Sequence, residues 1–327
     1  MSLELATRPK NQTAAAEEAK AHDLIIIGGG PAGLAAAIYA LRFQINTLLI
    51  EKMVLGGLAS TAYQIENYPG FPDGISGLDL CQKMTEQAQK LGLKVMWGNV
   101  VKIKNNKSHR EVLIDGKALS AKAVIIATGS EPTKLGIPGE EEFRGKGVSY
   151  CATCDGPFYR DKDVMVVGGG NSAVEEALFL TRYARKVSIV HRRDELRADK
   201  ILVEKARNHP KIYFFLHSIP EKIIGEKMVS EVVLKDLLAE KTIRVPVQGI
   251  FVYIGSNPNT KFLKGIIKLD EKGFILTDEK MTTSVPGIFA AGDARAKSLR
   301  QVVTAVSDGA TAANSAREYL TSLTGSV

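Results

Sequence analysis

Asp23-Leu-Ile-Ile-Ile-Gly-Gly-Gly-Pro-Ala-Gly33 is the stretch whose reading decides the fold. An apolar, β-branched run ends in glycines, and an alanine-rich periodic stretch follows as far as Arg42. A second apolar run occupies residues 47–50. The order is strand, tight turn, helix, strand. The same order opens again 140 residues later, at Asp163-Val-Met-Val-Val-Gly-Gly-Gly-Asn-Ser-Ala173, with a helix expected to Arg182 and a returning strand at 187–190. Two βαβ units predict an α/β protein with two Rossmann-like nucleotide-binding domains.

Working outward, apolar runs at 123–127, 249–254 and 288–291 are read as further strands, each followed by a glycine-bearing turn. A helix is expected from Ser298 or Leu299 to Leu320. Polar, Gly- and Pro-bearing stretches at 129–139 and 256–264 are the expected joints. The expected division is therefore a first domain from 23–131 and 259–327, with a second, 132–258, inserted into it. Residues 1–22 carry no apolar core of a signal peptide and read as a flexible tail.

Composition excludes several classes. With 327 residues, 45% hydrophobic and 24% charged, the chain is neither disordered nor fibrous. The net charge of +7 is local, because residues 182–207 hold nine Lys or Arg against four Asp or Glu. No aromatic-rich basic groove accompanies that patch, so a small polyanion is the expected partner and nucleic acid is not. Residues 24–41 are uncharged, but five of these positions are Gly or Pro, so no membrane span is expected. Three cysteines do not make a disulfide-stapled secreted fold, and a reducing, cytoplasmic setting is expected.

Each glycine of the first fingerprint has a task. Gly28 permits the tight turn, Gly30 lets a pyrophosphate approach the backbone, and Gly33 lets helix pack on strand. Glu51, 23 residues past Gly28, stands where an acid accepts ribose hydroxyls. In the second fingerprint, Gly168, Gly170 and Ala173 repeat the pattern, but the position matching Glu51 is His191, followed by Arg192, Arg193 and Arg197. Guanidinium groups suit a 2′-phosphate. The first site is expected to take a dinucleotide with a free ribose, the second NADP(H). Two such sites in one chain fit a relay from nicotinamide to flavin, with FAD in the first.

Cys151-Ala-Thr-Cys154-Asp155 is the third element. One CxxC cannot fill a tetrahedral zinc site, and no metal is expected. Two thiols at this spacing can close a small disulfide. Asp155 can donate a proton to a leaving thiolate, or can be an ordinary N-cap or turn residue. Cys81 sits in an apolar helical pattern and reads as a core thiol.

These motifs, with Glu66-Asn-Tyr-Pro-Gly-Phe71, Ala127-Thr-Gly129, Ala291-Gly-Asp293 and Arg300-Gln301, resemble the low-molecular-weight thioredoxin reductase family over residues 23–320. The CxxC within the NADPH domain carries that likeness, since glutathione-reductase-like enzymes have a wider pair near the first glycine loop. The resemblance implies that Pro31, Ala32, Asn67, Ala127, Thr128, Gly129, Gly292, Asp293, Arg300, Gln301 and Val302 join the FAD site. It implies that Asn171 and Ser172 join the NADPH site. It makes Cys154 the thiol facing the flavin, Cys151 the thiol that attacks the partner, and Asp155 the acid. It also implies a homodimer whose NADPH domain rotates between two states, passing electrons to thioredoxin or a thioredoxin-like protein. The alternative is a relative that uses a ferredoxin donor or acts as a dithiol oxidase. One departure is Gly56-Gly57-Leu58, where the family usually has Gln in place of Leu58, which bears on how the flavin is tuned.

Overall fold

The computed structural model describes residues 21–62, 64–106 and 108–324. Residues 1–20 of the expected N-terminal tail lie outside the described residues, whereas His22, the last residue assigned to it, is already the first residue of a strand. The chain divides into two compact units, one of residues 1–131 and 257–327, the other of residues 132–256.

The first part of the chain supplies β1 (His22–Ile27), α1 (Pro31–Arg42), β2 (Thr47–Glu51), α2 (Gly77–Lys90), β3 (Lys94–Trp97), β4 (Val100–Asn105), β5 (Arg110–Ile114), β6 (Lys117–Ile126) and β7 (Ser130–Pro132). The middle part supplies β8 (Val148–Ser149), α3 (Ala152–Asp155), β9 (Asp163–Val167), α4 (Asn171–Leu180), β10 (Lys186–Val190), α5 (Lys200–Arg207), β11 (Ile212–Phe215), β12 (Ser218–Gly225), β13 (Val229–Asp236), β14 (Thr242–Pro246), β15 (Gly249–Val252) and β16 (Ser256–Pro258). The last part adds β17 (Ile288–Ala290) and α6 (Val302–Thr324).

In the first unit the sheet runs β3-β2-β1-β6-β5-β4. Strands β1, β2 and β3 are parallel, as crossover helices require. Strand β6 has two partners along one edge. Its first half pairs antiparallel with β5, and residues 124–126 pair parallel with β17. On one sheet face α1 and α6 pack through small side chains, Ala32, Ala36, Ala37 and Ala40 against Ala305, Ala312, Ala313 and Ala316, all buried. Their approach is so close that a methyl group on Gly309 of α6 would overlap the Ala32 carbonyl. The opposite face is filled by branched residues such as Ile25, Ile27, Leu48 and Ile50 with Leu263 and Ile275.

The second unit repeats the plan with a five-stranded parallel sheet, β11-β10-β9-β15-β8. Strands β12, β13 and β14 form a separate antiparallel meander. Buried residues cover both faces of β9 and β10, Val164, Val166, Val187 and Ile189 on one and Met165, Val167 and Val190 on the other, the pattern of a covered parallel sheet. Among the described residues no helix is long and apolar enough to cross a membrane.

Two helix boundaries differ from the sequence reading. Helix α6 starts at Val302, not at 298 or 299, because the Gln301 amide donates to the Thr304 hydroxyl at 3.2 Å and the Gln301 carbonyl accepts the first helical bond, from Ala305 at 2.9 Å. Helix α4 stops at Leu180, where the Thr181 hydroxyl folds back onto the Leu178 carbonyl at 2.7 Å.

Candidate active site: two glycine loops and a disulfide

In the first unit, β1 ends in the loop 28–33 and α1 starts with Pro31 at its first turn, Gly30 being the N-cap. Gly28 has φ +105°, and a side chain there would overlap the Ala127 carbonyl. A methyl on Gly33 would overlap the Gly28 carbonyl, so the loop closes on itself through both residues. A methyl on Gly30 would meet no protein atom, so this glycine borders open space beside the unpaired amides of the helix start. Glu51, 8% exposed at the end of β2, accepts the Gly29 amide on Oε2 at 2.7 Å and the Met53 amide on Oε1 at 2.9 Å. Its carboxylate thus braces the glycine loop, and each oxygen keeps a lone pair for a sugar hydroxyl.

The rest of the predicted flavin-side set comes from distant segments. Ala127, Thr128 and Gly129 follow β6. Thr128 donates its hydroxyl to the Asn259 carbonyl at 2.9 Å, and Asn259 returns its amide to the Thr128 carbonyl at 3.1 Å. Asn259 was not read from the sequence; its Asn-Pro-Asn-Thr setting signals only a turn. Asn67 and Gln301 are 234 positions apart, yet the Asn67 amide donates to Gln301 Oε1 at 3.1 Å. After β17, the Gly292 amide donates to Asp308 Oδ2 at 3.0 Å. Asp308 also binds Arg295 at 2.9 Å and Lys297 at 2.8 Å, an ion triad almost out of solvent. Beside it Asp293 keeps a buried Oδ1 without a hydrogen-bond partner. Burial raises the Asp293 carboxyl, opposed by Lys297 and Arg300. Arg300 stacks its guanidinium 4.2 Å from the Phe274 ring centre, and Val302 opens α6. Leu58, at the family departure, is half exposed. Cys81 is free and fully buried, its thiol pushed up to about 12 by burial.

The second unit holds the second loop and the cysteines. Gly168 takes φ +151°, with no room for a side chain against the Tyr253 carbonyl, and Gly170 borders open space as Gly30 does. Ala173 is fully buried and Ser172 is exposed. Asn171 exchanges hydrogen bonds with Asp199, 2.9 Å each way. His191 is buried against Gly169, where Glu51 faces Gly29 in the first loop. Burial lowers its pKa, helped by Arg197, Arg193 and Arg192 and opposed by a hydrogen bond to the Glu195 backbone, so the ring is neutral at pH 7. The Arg197 amide donates to the Gly169 carbonyl at 2.6 Å. Arg192, Arg193 and Arg197 are exposed, and none forms an ion pair with a described residue.

Cys151 and Cys154 form a disulfide across a Cα separation of 5.3 Å. Cys151 caps the four-residue α3. Its amide donates to Ser149 Oγ at 3.1 Å, and the Ala152 amide donates to the Tyr253 hydroxyl at 2.5 Å. Both sulfur-bearing residues are half-buried, so the pair is neither sealed in the core nor free on a surface. Asp155 closes the turn, its amide bonded to the Cys151 carbonyl at 3.1 Å. Burial raises its carboxyl, partly offset by a Ser149 hydrogen bond, which moves it toward the protonated form an acid needs. Ser149 and Tyr253 carried no sequence signal, because their roles arise from strand register at the ends of β8 and β15.

Two glycine-loop units in one chain, one of them carrying a disulfide, are the marks of a dinucleotide-dependent disulfide oxidoreductase. The sequence matches the family Pyridine nucleotide-disulphide oxidoreductase over residues 22–309, and the chain belongs to it. Within that family it is similar to thioredoxin reductases. That of Listeria innocua serovar 6a is 48% identical over 309 residues, 94% of this chain and 97% of that protein. That of Bacillus subtilis strain 168 is 45% identical, at 94% and 97% coverage. The crystal structure of thioredoxin reductase from Streptococcus pyogenes MGAS5005 aligns with TM-score 0.88 and 46% identity, covering 92% of this chain and 98% of that one.

Proposed function

We propose that the protein is a thioredoxin-disulfide reductase that draws electrons from NADPH, passes them through FAD, and delivers them from Cys151 and Cys154 to oxidised thioredoxin. The observation that carries this is the half-buried Cys151–Cys154 disulfide on the same unit as a glycine loop ringed by exposed, unpaired arginines. The residues fit the two groups. Gly28, Gly30 and Gly33 with Pro31 and Ala32 cradle a pyrophosphate, Glu51 takes a ribose, and the unpartnered Asp293 Oδ1 offers an acceptor on the flavin side. Asn67, Ala127, Thr128, Gly129, Gly292, Arg300, Gln301 and Val302 complete that site. Gly168, Gly170, Asn171, Ser172 and Ala173 hold the second pyrophosphate, and Arg192, Arg193 and Arg197 beside His191 hold the 2′-phosphate. When bound, NADPH supplies the hydride and FAD the two-electron relay.

The protein's own chemistry is thiol–disulfide exchange. In the reduced pair, the Cys151 thiolate attacks one sulfur of the thioredoxin disulfide and expels the other as a thiolate, forming a mixed disulfide. Asp155 supplies a proton to a leaving thiolate. The Cys154 thiolate then attacks Cys151 Sγ, restoring the Cys151–Cys154 bond and releasing thioredoxin with both its sulfurs reduced. The protein works as a homodimer in a reducing, cytoplasmic setting.

The test is an anaerobic titration. One equivalent of NADPH should bleach the yellow protein, and oxidised thioredoxin should restore the colour. Bleaching by reduced ferredoxin but not by NADPH would sink the donor assignment. Bleaching without recovery on thioredoxin would sink the acceptor.

A further inference from the structure

Glu176 lies on α4 and plays no part in the exchange just described. Its Oε2 is buried without a hydrogen-bond partner. One turn further along α4, Phe179 and Leu180 lie 3.3 Å from where a Gly156 side chain would stand, so this face of the helix runs beneath the cysteine segment. Tyr253 follows directly on β15 and meets the cysteine segment. Its hydroxyl accepts the Ala152 amide at 2.5 Å, and no described residue accepts its own proton. Burial raises the pKa of that hydroxyl, Glu176 and then Asp155 raise it further, and the bond from the Ala152 amide opposes them. A buried acceptor without a donor and a buried hydroxyl without an acceptor thus share one small region behind the disulfide.

We propose that Glu176 is a positioning residue for the dithiol. Through the Tyr253 hydroxyl and the Ala152 amide, its charge state sets how readily the reduced pair forms a thiolate. The inference rests on reading Cys151 and Cys154 as the working redox pair. Two-electron reduction with uptake of two protons breaks the S–S bond and leaves two thiols, and one must lose its proton to become the nucleophile. An ionised carboxylate nearby opposes that loss, whereas a neutral carboxyl does not. Reciprocally, thiolate formation favours a proton on Glu176, and the charge of the cluster stays constant. Burial, with Glu175 on the same helix, pushes the Glu176 carboxyl up to about 7, where this exchange operates at neutral pH. Of the other elements packed on α4, α5 contributes Leu202 and Ala206 to the shared core and its N-cap Asp199 to Asn171 at the start of α4, and β9 and β10 contribute Val166 and Ile189. The titratable groups facing this region are Glu176, Glu175, Tyr253, Asp155 and the dithiol, with the phenols of Tyr159, which burial and Asp155 hold protonated, and Tyr183 beside Gly156.

The test uses the FAD-loaded full chain, reduced with dithiothreitol, freed of it anaerobically, and alkylated with iodoacetamide from pH 5.5 to 10. Mass spectrometry reads the modified cysteine, with buried Cys81 as the unreactive control. The wild-type rate should show an inflection near 7 below the thiol's own titration. Glu176→Gln should lose that inflection and react about three- to tenfold faster at pH 8, the size of a single-charge interaction at intermediate dielectric. Glu176→Asp should restore it. Tyr253→Phe, which keeps the carboxyl and removes the link, should weaken it. Coincident profiles for Glu176→Gln and the wild type would overturn the proposal. Should Glu176→Gln fail to fold, an unchanged profile in Tyr253→Phe would overturn it. Because the dithiol is reduced chemically, lack of NADPH-linked turnover would count against the proposed function and leave this profile readable.

Discussion

The two glycine loops share a plan and differ in what stands beside them. In the first, the Glu51 carboxylate grips the Gly29 amide at 2.7 Å. In the second, the neutral His191 ring lies against Gly169, and the Arg197 amide is tied to the Gly169 carbonyl at 2.6 Å. The backbone turn is common to both, with positive φ at Gly28 and Gly168 and an outward-facing Gly30 and Gly170. The shared part addresses the pyrophosphate, which all dinucleotides have. The part that differs addresses the ribose, the only place where a free sugar and a phosphorylated one can be told apart. Recognition of the cofactor is thus divided between a fixed backbone and a few exchangeable side chains.

Four experiments would break or sharpen this contrast, from the largest effect to the smallest. Gly33→Ala should cost the first site on the order of 100-fold in FAD affinity, since the added methyl overlaps the Gly28 carbonyl and overpacking costs about 1–3 kcal/mol. The matching second-loop position is already Ala173, and Ala173→Gly should cost only about 1 kcal/mol of stability. Retention of FAD by Gly33→Ala, measured by flavin fluorescence, would show that the first loop has slack. Next, Glu51→Ala should weaken FAD binding by about 10- to 100-fold, because two amides lose their acceptor at about 1–3 kcal/mol each. An unchanged affinity would mean that the brace is dispensable. Third, the double variant Arg192→Ala, Arg197→Ala should raise the KM for NADPH about tenfold and leave that for NADH nearly unchanged. Equal changes would remove these arginines from phosphate reading.

The smallest effect concerns pH. Burial first, then Arg197, Arg193 and Arg192, holds His191 below its ordinary value, so the unfolded chain takes the proton before the folded one does. Its contribution to stability is present above about pH 6.5 and is lost as pH falls toward the folded value. The Tm should therefore drop between pH 7 and 5.5 by an amount that His191→Gln reduces. An identical drop in both proteins would show that other groups carry the acid sensitivity.

Much of the fold was legible because the two βαβ starts are written in residues with few structural alternatives. Fully buried runs such as 24–27 and 164–167 must be apolar, and their turns need glycine. The meanders were not legible. Strand β4, Val-Val-Lys-Ile-Lys-Asn, has four of its six residues exposed and no strict alternation, a weak pattern in one sequence. Only the second half of β6 was read, the part buried between β1 and β17, while its start at Lys117 depends on pairing with β5. The same limit applies at the site. Glycines, the cysteine pair and the Arg cluster are marked by residue type and spacing. Asn259, Asp308, Ser149 and Tyr253 act through partners far away in sequence or through strand register, which no local pattern encodes.

The close seam between α1 and α6 bears on how the protein is made. The two helices come from residues 31–42 and 302–324, and β17 reaches β6 only near the end of the chain. The first unit therefore cannot complete its sheet or cover its alanine face until residues 288–324 have been made. The second unit is one continuous segment, 132–256, and every strand of its parallel sheet is available before β17 and α6 are made. The nascent protein should acquire its disulfide-bearing unit first and hold the first unit open, a natural client for a chaperone, until α6 emerges.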